Sequence, residues 1–334
     1  MTTRIVTFPR FDEIWPVSAE HLARLLGTID EVEIIRAEGD RPPAGSPQVD
    51  RLFWLAGELG AEQLDEYPAL VEAFTTRGYS SDPAVDALLE ERGIRRIAHP
   101  SEGYWGQSVS EFALGLTIAA LRGIPRRSEL TLRGPGTGWE YEAEQLSDDL
   151  RFTSGTVAGK RVRIVGAGNI ASRYASFVSM LGADVAAWDP FASEPSFHRA
   201  GARREWQLDE LPRDADIFVP MVPHTPATVG LVTAELIRAI PDGALVVMVT
   251  RAAICDTVEL RRRVLADELA LAADVFDVEP LPADDPLLGR SNVVHTPHIA
   301  GRTVDAGFRW AEALVEQLPG FDPSRAPAPA RLRR

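Results

Sequence analysis

A short glycine-rich stretch in the middle of the chain has the residue types and spacing of a phosphate-binding turn. It reads Gly166-Ala167-Gly168-Asn169-Ile170-Ala171, and an apolar strand candidate at residues 162–165 precedes it. In such a turn Gly166 permits the tight bend, Gly168 lets the backbone approach a pyrophosphate, and Ala171 lets helix and strand pack closely. The helix that follows would add N–H donors and positive partial charge at its N-terminus. The stretch therefore predicts a dinucleotide site.

An acidic residue stands where such a site would hold the adenosine ribose. Asp189 follows the next strand candidate, residues 185–188, and lies 189 − 166 = 23 positions after Gly166. Its carboxylate would accept hydrogen bonds from the ribose hydroxyls and repel a 2′-phosphate, which favours NAD over NADP. A glycine pattern alone is weak evidence, but its strand, helix and acidic residue together predict a Rossmann-type NAD site. The alternative is a glycine turn that binds no nucleotide.

Three further polar segments follow strand candidates, where open α/β sheets place their ligand crevice. They are residues 250–252 (TRA), 274–280 (DVFDVEP) and 296–301 (TPHIAG). With the glycine turn they resemble the D-isomer-specific 2-hydroxyacid dehydrogenases, whose pattern is Arg-Gly, then D-V-F-x-x-E-P, then T-P-H-x-x-G. The spacings agree, at 279 − 251 = 28 and 298 − 279 = 19 residues. The resemblance is specific over about residues 107–307 and looser before them.

The resemblance implies an NAD-dependent oxidoreductase that interconverts a small D-2-hydroxy acid and its 2-oxo acid by hydride transfer. His298 would be the acid/base that exchanges a proton with the substrate. Glu279 would hydrogen-bond the imidazole and favour its protonated form. Arg251 would hold the substrate carboxylate and polarise the carbonyl. Taken singly, each residue has a plain structural explanation, but their joint spacing favours a catalytic set.

The resemblance also implies a set of cofactor contacts. Asp274 matches the family position that contacts the nicotinamide carboxamide, and residues 222–226 resemble the loop beside the cofactor, which places His224 near the ribose. The expected cofactor-binding residues are Gly166, Gly168, Asn169, Ile170, Asp189, Pro223, Thr228, Val249, Thr250, Asp274, Ala300 and Gly301.

Two departures from the family pattern concern the substrate. Ala252 stands where the family has Gly after the catalytic Arg. The loop whose backbone N–H groups would grip the substrate carboxylate corresponds to Gly78-Tyr79-Ser80-Ser81, so Gly78, Tyr79, Ser80 and Arg251 are the expected substrate contacts. Its hydroxyls and bulky Tyr79 indicate a substrate other than plain pyruvate or lactate, and a phosphonate or other oxyanion in place of the carboxylate stays open. Tyr104 and Trp105 are further candidates for this site.

Two other functions share the scaffold. One is a non-metabolic, NAD(H)-sensing protein like the corepressors built on this fold, which also retain the Arg/Glu/His set. The other is a formate dehydrogenase, which has Gln where Glu279 stands, so the carboxylate favours hydroxyacid chemistry.

Charge, cysteine content and apolar stretches bear on the partners and the cellular location of the protein. The formal net charge of -14 argues against nucleic acid and anionic membranes. Cys255 is the one cysteine, so no intrachain disulfide can form and a reducing cytoplasm fits. We find no signal peptide in residues 1–20 and no metal-ligand spacing, and the longest apolar stretch, residues 109–121, is too short to span a bilayer. The resemblance further suggests a homodimer.

Hydrophobic patterning supplies the elements that would position these residues. Strand candidates occupy residues 51–56, 73–76, 162–165, 185–188, 217–221, 245–249, 270–275 and 292–294, and helix candidates include 19–26 and 83–92. Ser108 and Glu111 form a capping box that would open a helix to residue 121. This helix is apolar on nearly every side and should be packed all round. Residues 124–159 look irregular. Strands that alternate with helices predict parallel sheets.

The predicted fold class is α/β, with two Rossmann-like doubly wound domains and a cleft between them. A substrate domain of flavodoxin type would span residues 1–106 and be completed by about 302–320. An NAD-binding Rossmann domain would span residues 107–301, and residues 321–334 would form a disordered tail.

Overall fold

The structure, a computed structural model, describes residues 1–76, 83–98, 104–133 and 148–328. It divides into two compact units. The first comprises Met1–Tyr104 with Arg302–Arg334, and the second comprises Trp105–Gly301. The chain therefore passes from one unit to the other at two places.

The strands and helices alternate along the chain. The strands are β1 (Thr2–Thr7), β2 (Glu31–Arg36), β3 (Arg51–Leu55), β4 (Glu72–Thr76), β5 (Arg95–Arg96), β6 (Arg161–Val165), β7 (Asp184–Trp188), β8 (Arg203–Arg204), β9 (Ile217–Pro220), β10 (Leu245–Met248), β11 (Ala270–Ala273) and β12 (Val293–His295). The helices are α1 (Pro9–Ile14), α2 (Ser18–Leu26), α3 (Ala61–Asp65), α4 (Pro83–Glu91), α5 (Gly106–Leu121), α6 (Ile124–Arg133), α7 (Asn169–Met180), α8 (Glu194–Arg199), α9 (Ala234–Ala239), α10 (Thr257–Leu265) and α11 (Val304–Val315). Single 3-10 turns lie at Leu211–Asp214, Ala252–Ile254 and Pro323–Arg325.

The first unit is built on a parallel sheet. Within the described residues its strands pair in the order β2-β1-β3-β4-β5, which is the order of flavodoxin-like folds. Strand β3 is buried along its whole length, as expected where helices cover both faces of a sheet. Helix α11, from the C-terminal part of the chain, packs on α2, with the Phe308 ring 4.7 Å from that of His21.

The second unit is a seven-stranded parallel sheet over the described ranges. Its order is β12-β11-β10-β9-β6-β7-β8, so the chain starts in the middle at β6, runs outward to β8 and then returns to β9. This is the doubly wound order of dinucleotide-binding folds, in which the direction of winding reverses between the first and fourth strands. The switch point here lies between β6 and β9.

Alternate residues along each strand of this sheet fill two separate cores. Val162, Ile164 and Val219 face one core, whereas Val165, Phe218 and Val246 face the other. Successive side chains on a strand point to opposite faces, so near-continuous apolar strands are what a sheet covered on both faces needs. The predicted α/β class is confirmed.

The strand predictions agree with the structure to within two residues at each end, but four strands were not predicted. Three of them, β2, β5 and β8, lie at sheet edges, and β5 and β8 are only two residues long. The fourth, β1, contains the buried polar residues Thr3 and Arg4. Their burial is tolerated because Thr3 donates to Asp30 and Arg4 donates to Glu33. Hydrophobic periodicity does not detect such strands.

Three expectations around α5 and α6 are wrong. Helix α5 begins at Gly106 without a side-chain cap, because Ser108 lies inside the helix and donates instead to the Ala300 carbonyl at 2.6 Å. Its apolar character does not bury it all round, since Glu111 and Gly115 are exposed. Part of the predicted irregular stretch is α6, none of whose residues is buried.

Within the tail predicted to be disordered from residue 321, Pro323–Arg325 form a 3-10 turn, and residues 329–334 lie outside the described residues.

A buried histidine of the first unit makes the stability of the fold depend on pH. His21 is 1% exposed, its Nε2 lies 3.6 Å from Glu312 Oε1, and within the described residues neither ring nitrogen has a hydrogen-bond partner. Burial, together with Arg24, lowers the pKa of His21 to about 4. Its folded pKa therefore lies below its unfolded value near 6.5, so only the unfolded chain binds the proton between these pH values.

We expect the free energy of unfolding to fall by about 1.4 kcal/mol per pH unit from this residue as pH drops from 6.5 towards 4. Urea unfolding of the wild type and of His21→Leu, at half-unit steps of pH, measures this. Parallel pH slopes for the two proteins would contradict the assignment.

Candidate active site

The turn between β6 and α7 is shaped by two glycines with different tasks. Gly166 has a φ of +113°, and a Cβ there would lie 2.9 Å from the Met221 carbonyl oxygen. Its N–H donates to the Trp188 carbonyl at 2.7 Å, which ties the turn to the end of β7. Gly168 is exposed, and a Cβ there would meet nothing within 4 Å. The turn therefore closes tightly at Gly166 and leaves open space at Gly168.

The open space at Gly168 adjoins the start of helix α7. Gly168 is the N-cap of α7, and it has no side chain that could cap this helix. The first N–H groups of a helix have no intrahelical acceptor and favour an anion. Because Gly168 has no side chain, a ligand can approach the N–H groups of Asn169 and Ile170. These donors fit the pyrophosphate of a dinucleotide.

Asp189, just after β7, lies against this turn. One carboxylate oxygen accepts the Ala167 N–H at 2.8 Å, and the other accepts those of Phe191 and Ala192 at 2.9 and 3.0 Å. A carboxylate has about four lone-pair positions, so capacity remains for a hydroxyl donor. The sequence predicts that Asp189 binds the ribose but does not reveal that its carboxylate also fastens the glycine turn.

The structure brings Glu279 and His298 together. The Nδ1 atom of His298 is 2.7 Å from Oε2 of Glu279, and Oε1 of Glu279 accepts the Phe276 N–H at 2.9 Å. The two side chains are 28% exposed for His298 and 36% exposed for Glu279, so the pair is reachable from solvent. With Nδ1 occupied by the carboxylate, Nε2 is the ring atom left to exchange a proton.

His298 sits in a loop that is fastened to a buried carboxylate. Asp274, at the end of β11, is 0% exposed. It accepts the Thr296 hydroxyl at 2.6 Å and the N–H groups of Ile299 and Ala300 at 2.9 and 2.8 Å. These donors flank His298 on both sides and hold it with a φ of +55°, a left-handed conformation uncommon for a residue other than glycine.

Arg251 and Thr250 follow β10 at the same edge of the sheet. The Thr250 hydroxyl donates to the Pro220 carbonyl at 3.4 Å, and Arg251 Nη1 donates to the Thr250 carbonyl at 2.7 Å. Val249 is buried. Because parallel strands end at one edge, Arg251, Asp274 and the Gly166 turn all lie on the carboxyl side of this sheet.

The loop after β9 is closed by its own threonine. Thr228 donates to the Pro223 carbonyl and accepts the Thr225 N–H at 2.8 Å, while His224 is exposed. These bonds give the loop a fixed shape beside β9.

The proposed substrate contacts are described only in part. Gly78, Tyr79, Ser80 and Ser81 lie outside the described residues. Tyr104 is buried in the first unit, whereas Trp105 belongs to the second and packs against Gly301.

Sequence reasoning missed several residues that support this site. Thr296, Ser108, Gln107 and Arg173 each bond to a predicted site residue or to its partner. No motif marks them, because their bonds depend on how separate elements pack.

Other candidate chemistries find little support. Cys255 is buried, and burial raises the pKa of its thiol to about 12, so it is unreactive near neutral pH. Across the described ranges, no three His, Cys, Asp or Glu side chains are grouped to hold a metal ion. The helices described in the structure include none with the length and apolar character to cross a membrane.

Comparison with known proteins finds relatives of this chain by sequence and by fold. Residues 114–300 match the model of the D-isomer specific 2-hydroxyacid dehydrogenase, NAD binding domain. The chain is 31% identical over 301 residues to a hydroxypyruvate reductase of Thermotoga maritima, covering 88% of this chain and 92% of that one. A solved structure of a protein from Thermus thermophilus has a TM-score of 0.70 and 25% identity, covering 93% of this chain and 94% of that one.

The chain therefore belongs to the D-isomer specific 2-hydroxyacid dehydrogenase family. It is also 32% identical over 238 residues to a D-3-phosphoglycerate dehydrogenase of Archaeoglobus fulgidus, covering 69% of this chain and 42% of that protein. The chain spans about half the length of such relatives.

The buried carboxylate of Asp274 gives a direct test of the loop geometry. In Asp274→Asn an amide NH2 would face one of the donors that now bond to the carboxylate. We expect the free energy of unfolding to fall by about 1–3 kcal/mol, the typical cost of an unsatisfied buried polar group. Thr296→Val, which removes a single donor, should cost less. Urea denaturation measures both, and an Asn variant as stable as the wild type would contradict this role.

Proposed function

We propose that the chain is an NAD-dependent oxidoreductase that interconverts a small D-2-hydroxy acid and its 2-oxo acid. The observation that carries the proposal is the 2.7 Å contact between His298 and Glu279 on the carboxyl side of a Rossmann sheet. Family membership and the names of the relatives, hydroxypyruvate reductase and glyoxylate reductase, support this substrate class.

The cofactor supplies the hydride when it is bound, and the chain binds and orients it. Uncapped N–H groups at the start of α7 would receive the pyrophosphate, and Asp189 would accept the ribose hydroxyls. Since the Asp274 carboxylate is fully buried, its part would be to shape the loop rather than to expose a new acceptor. The residues that would complete the site are Pro223, Thr228, Val249, Thr250, Ala300 and Gly301.

Proton transfer falls to His298. In the reducing direction its Nε2–H would donate to the carbonyl oxygen as the carbon accepts hydride, and the imidazole would be left neutral. In the oxidising direction Nε2 would remove the hydroxyl proton. Glu279 would orient the imidazole through its contact with Nδ1, and the Phe276 N–H holds the carboxylate in place.

Arg251 would bind the substrate. A guanidinium is always charged and offers a planar fork of donors that matches a carboxylate. Its Nη1 donates to the carbonyl of its neighbour Thr250, which fixes the direction of the side chain. We propose that Gly78, Tyr79 and Ser80 add backbone N–H groups, and that a phosphonate could replace the carboxylate.

We further propose that the protein is a cytoplasmic homodimer. The single cysteine favours the cytoplasm, and family resemblance favours a homodimer. Both are proposals that light scattering and fractionation can test.

We expect His298→Ala to lower kcat for NADH-dependent reduction of glyoxylate or hydroxypyruvate by about 10²–10⁴-fold, the usual contribution of general acid–base catalysis. The NADH Kd should change little. Glu279→Gln, which keeps a hydrogen bond to the ring but removes the charge, should give a smaller loss. Initial rates of NADH oxidation, followed by absorbance on a panel of 2-oxo acids and oxo-phosphonates, measure this. Wild-type rates in His298→Ala would refute the catalytic assignment, and NADH binding without turnover of any compound would favour a sensing role.

We expect Asp189→Ala to lower the ratio of kcat/KM for NADH to that for NADPH by at least about tenfold, or about 1.4 kcal/mol, because the repulsion of a 2′-phosphate is lost. Asp209→Ala removes an exposed carboxylate elsewhere in this unit and is the matched control. An unchanged ratio in Asp189→Ala would refute its role in cofactor choice.

A further inference from the structure

The first turn of α5, with Trp105 before it, contacts two separate parts of the NAD site. One is the start of α7, beside the phosphate-binding turn, and the other is the loop that carries His298. We propose that residues 105–108 are positioning residues that fix both parts of the site. This inference rests on the proposed function, because it concerns how NAD is held.

Gly106 lies directly against Asn169, the first residue of α7. A Cβ at Gly106 would lie 2.6 to 2.8 Å from the Nδ2, Oδ1 and Cγ atoms of Asn169. These distances are far shorter than van der Waals contact, so any larger residue would displace the Asn169 side chain. A larger residue at position 106 would fit only if the Asn169 side chain moved, whereas the helical backbone of Gly106 does not itself call for glycine.

Hydrogen bonds hold the same asparagine from the other side. Arg173 Nε donates to Asn169 Oδ1 at 3.0 Å, and Arg173 Nη1 donates to Gln107 Oε1 at 3.2 Å. Gln107 in turn donates to Glu111 one turn along α5. Because arginine can only donate, the Asn169 oxygen must face Arg173, and its NH2 group must face away. The amide therefore has one defined orientation.

The positive charge of Arg173 favours a bound anion at the start of α7. Its guanidinium reaches back to the N-terminus of α7, where the helix dipole disfavours a cation. Among residues 1–76, 83–98, 104–133 and 148–328, no carboxylate forms an ion pair with it. A bound pyrophosphate would offset this unfavourable charge.

The other contacts of the turn reach the histidine loop. A Cβ at Gly301 would lie 2.7 Å from the Trp105 ring, and Ser108 Oγ donates to the Ala300 carbonyl at 2.6 Å. The Ala300 N–H is bound by Asp274, whose remaining bonds flank His298. The same helical turn thus fixes the end of the His298 loop.

Phosphate binding and proton transfer are carried out by segments more than a hundred residues apart in the chain. Their separation in space is set by the helix that both segments touch. Binding of NADH should therefore depend on Gly106, and the behaviour of His298 should depend on Ser108, although neither residue reaches the reacting atoms.

The first experiment measures the NADH Kd by fluorescence titration of the full chain. We expect Gly106→Ala to raise the Kd at least tenfold. Gly115→Ala makes the same change in the same helix, where a Cβ meets nothing within 4 Å, and should leave the Kd within twofold. In an Asn169→Ala background, which removes the contacted atoms, Gly106→Ala should have no further effect. A Gly106→Ala chain that binds like Gly115→Ala, or whose defect persists in the Asn169→Ala background, would overturn the proposal.

A second variant covers the case in which Gly106→Ala does not fold. Arg173→Met keeps the aliphatic packing and removes the donors, so we expect a Kd for NADH about five- to tenfold higher with an unchanged Tm. An unchanged Kd would overturn the role of Arg173.

The last measurement follows the position of the His298 ring by its NMR chemical shifts. We expect Ser108→Ala to change the chemical shifts of the His298 ring and to lower kcat several-fold, whereas Ser110→Ala, which loses only bonds within α5, should do neither. Identical ring shifts in the two variants would overturn this half of the proposal. If the wild type itself does not bind NADH, the proposed function fails, whereas wild-type binding with unaffected variants refutes the positioning role alone.

Discussion

A carboxylate without access to water must find its hydrogen bonds in the protein, and Asp274 finds three within five residues of one loop. That requirement bends the chain around the carboxylate and holds His298 in a left-handed conformation. From there the ring meets Glu279, whose other oxygen is bound by the backbone of Phe276. The geometry of the partly exposed His298–Glu279 pair therefore depends on a residue that solvent does not reach.

The amino ends and the carboxyl ends of the strands, here called the amino and carboxyl edges of a sheet, carry different kinds of side chain. At the amino edge of the second sheet, the buried Arg163 is bonded to Asp184 and Asp214. At the matching edge of the first sheet, the buried Arg51 is bonded to Asp30 and Glu72. Breaking such pairs is costly, because a buried charge would be left alone. The carboxyl edge of the second sheet instead presents backbone donors and half-exposed side chains, as a ligand site requires.

What the sequence predicts well is local. The Gly166 turn, its flanking strand and helix, and Asp189 follow from periodicity and from the conformational freedom of glycine, so they can be located without tertiary contacts. The pairing of Glu279 with His298 was inferred from spacing that resembles a family, and the structure places the two side chains 2.7 Å apart. What the sequence misses depends on distant partners or on exposure. Ser108 has the pattern of a helix cap, but its acceptor is the Ala300 carbonyl, 192 residues away.

Exposure and packing account for the other misses. Helix α6 has no buried residue, and its largely polar sequence does not suggest a helix packed on a core. The contact between Gly106 and Asn169 exists only because two helices pack, and no local rule could predict it.

The buried thiol of Cys255 has a practical consequence. Because it is the one cysteine of the chain and its side chain is enclosed in the core, the native protein offers thiol reagents almost nothing to modify. A cysteine introduced at any exposed position would be the single point of attachment for a spin label or a fluorophore. Distances between the two units could then be measured in solution with pairs of such probes, without first removing a native residue.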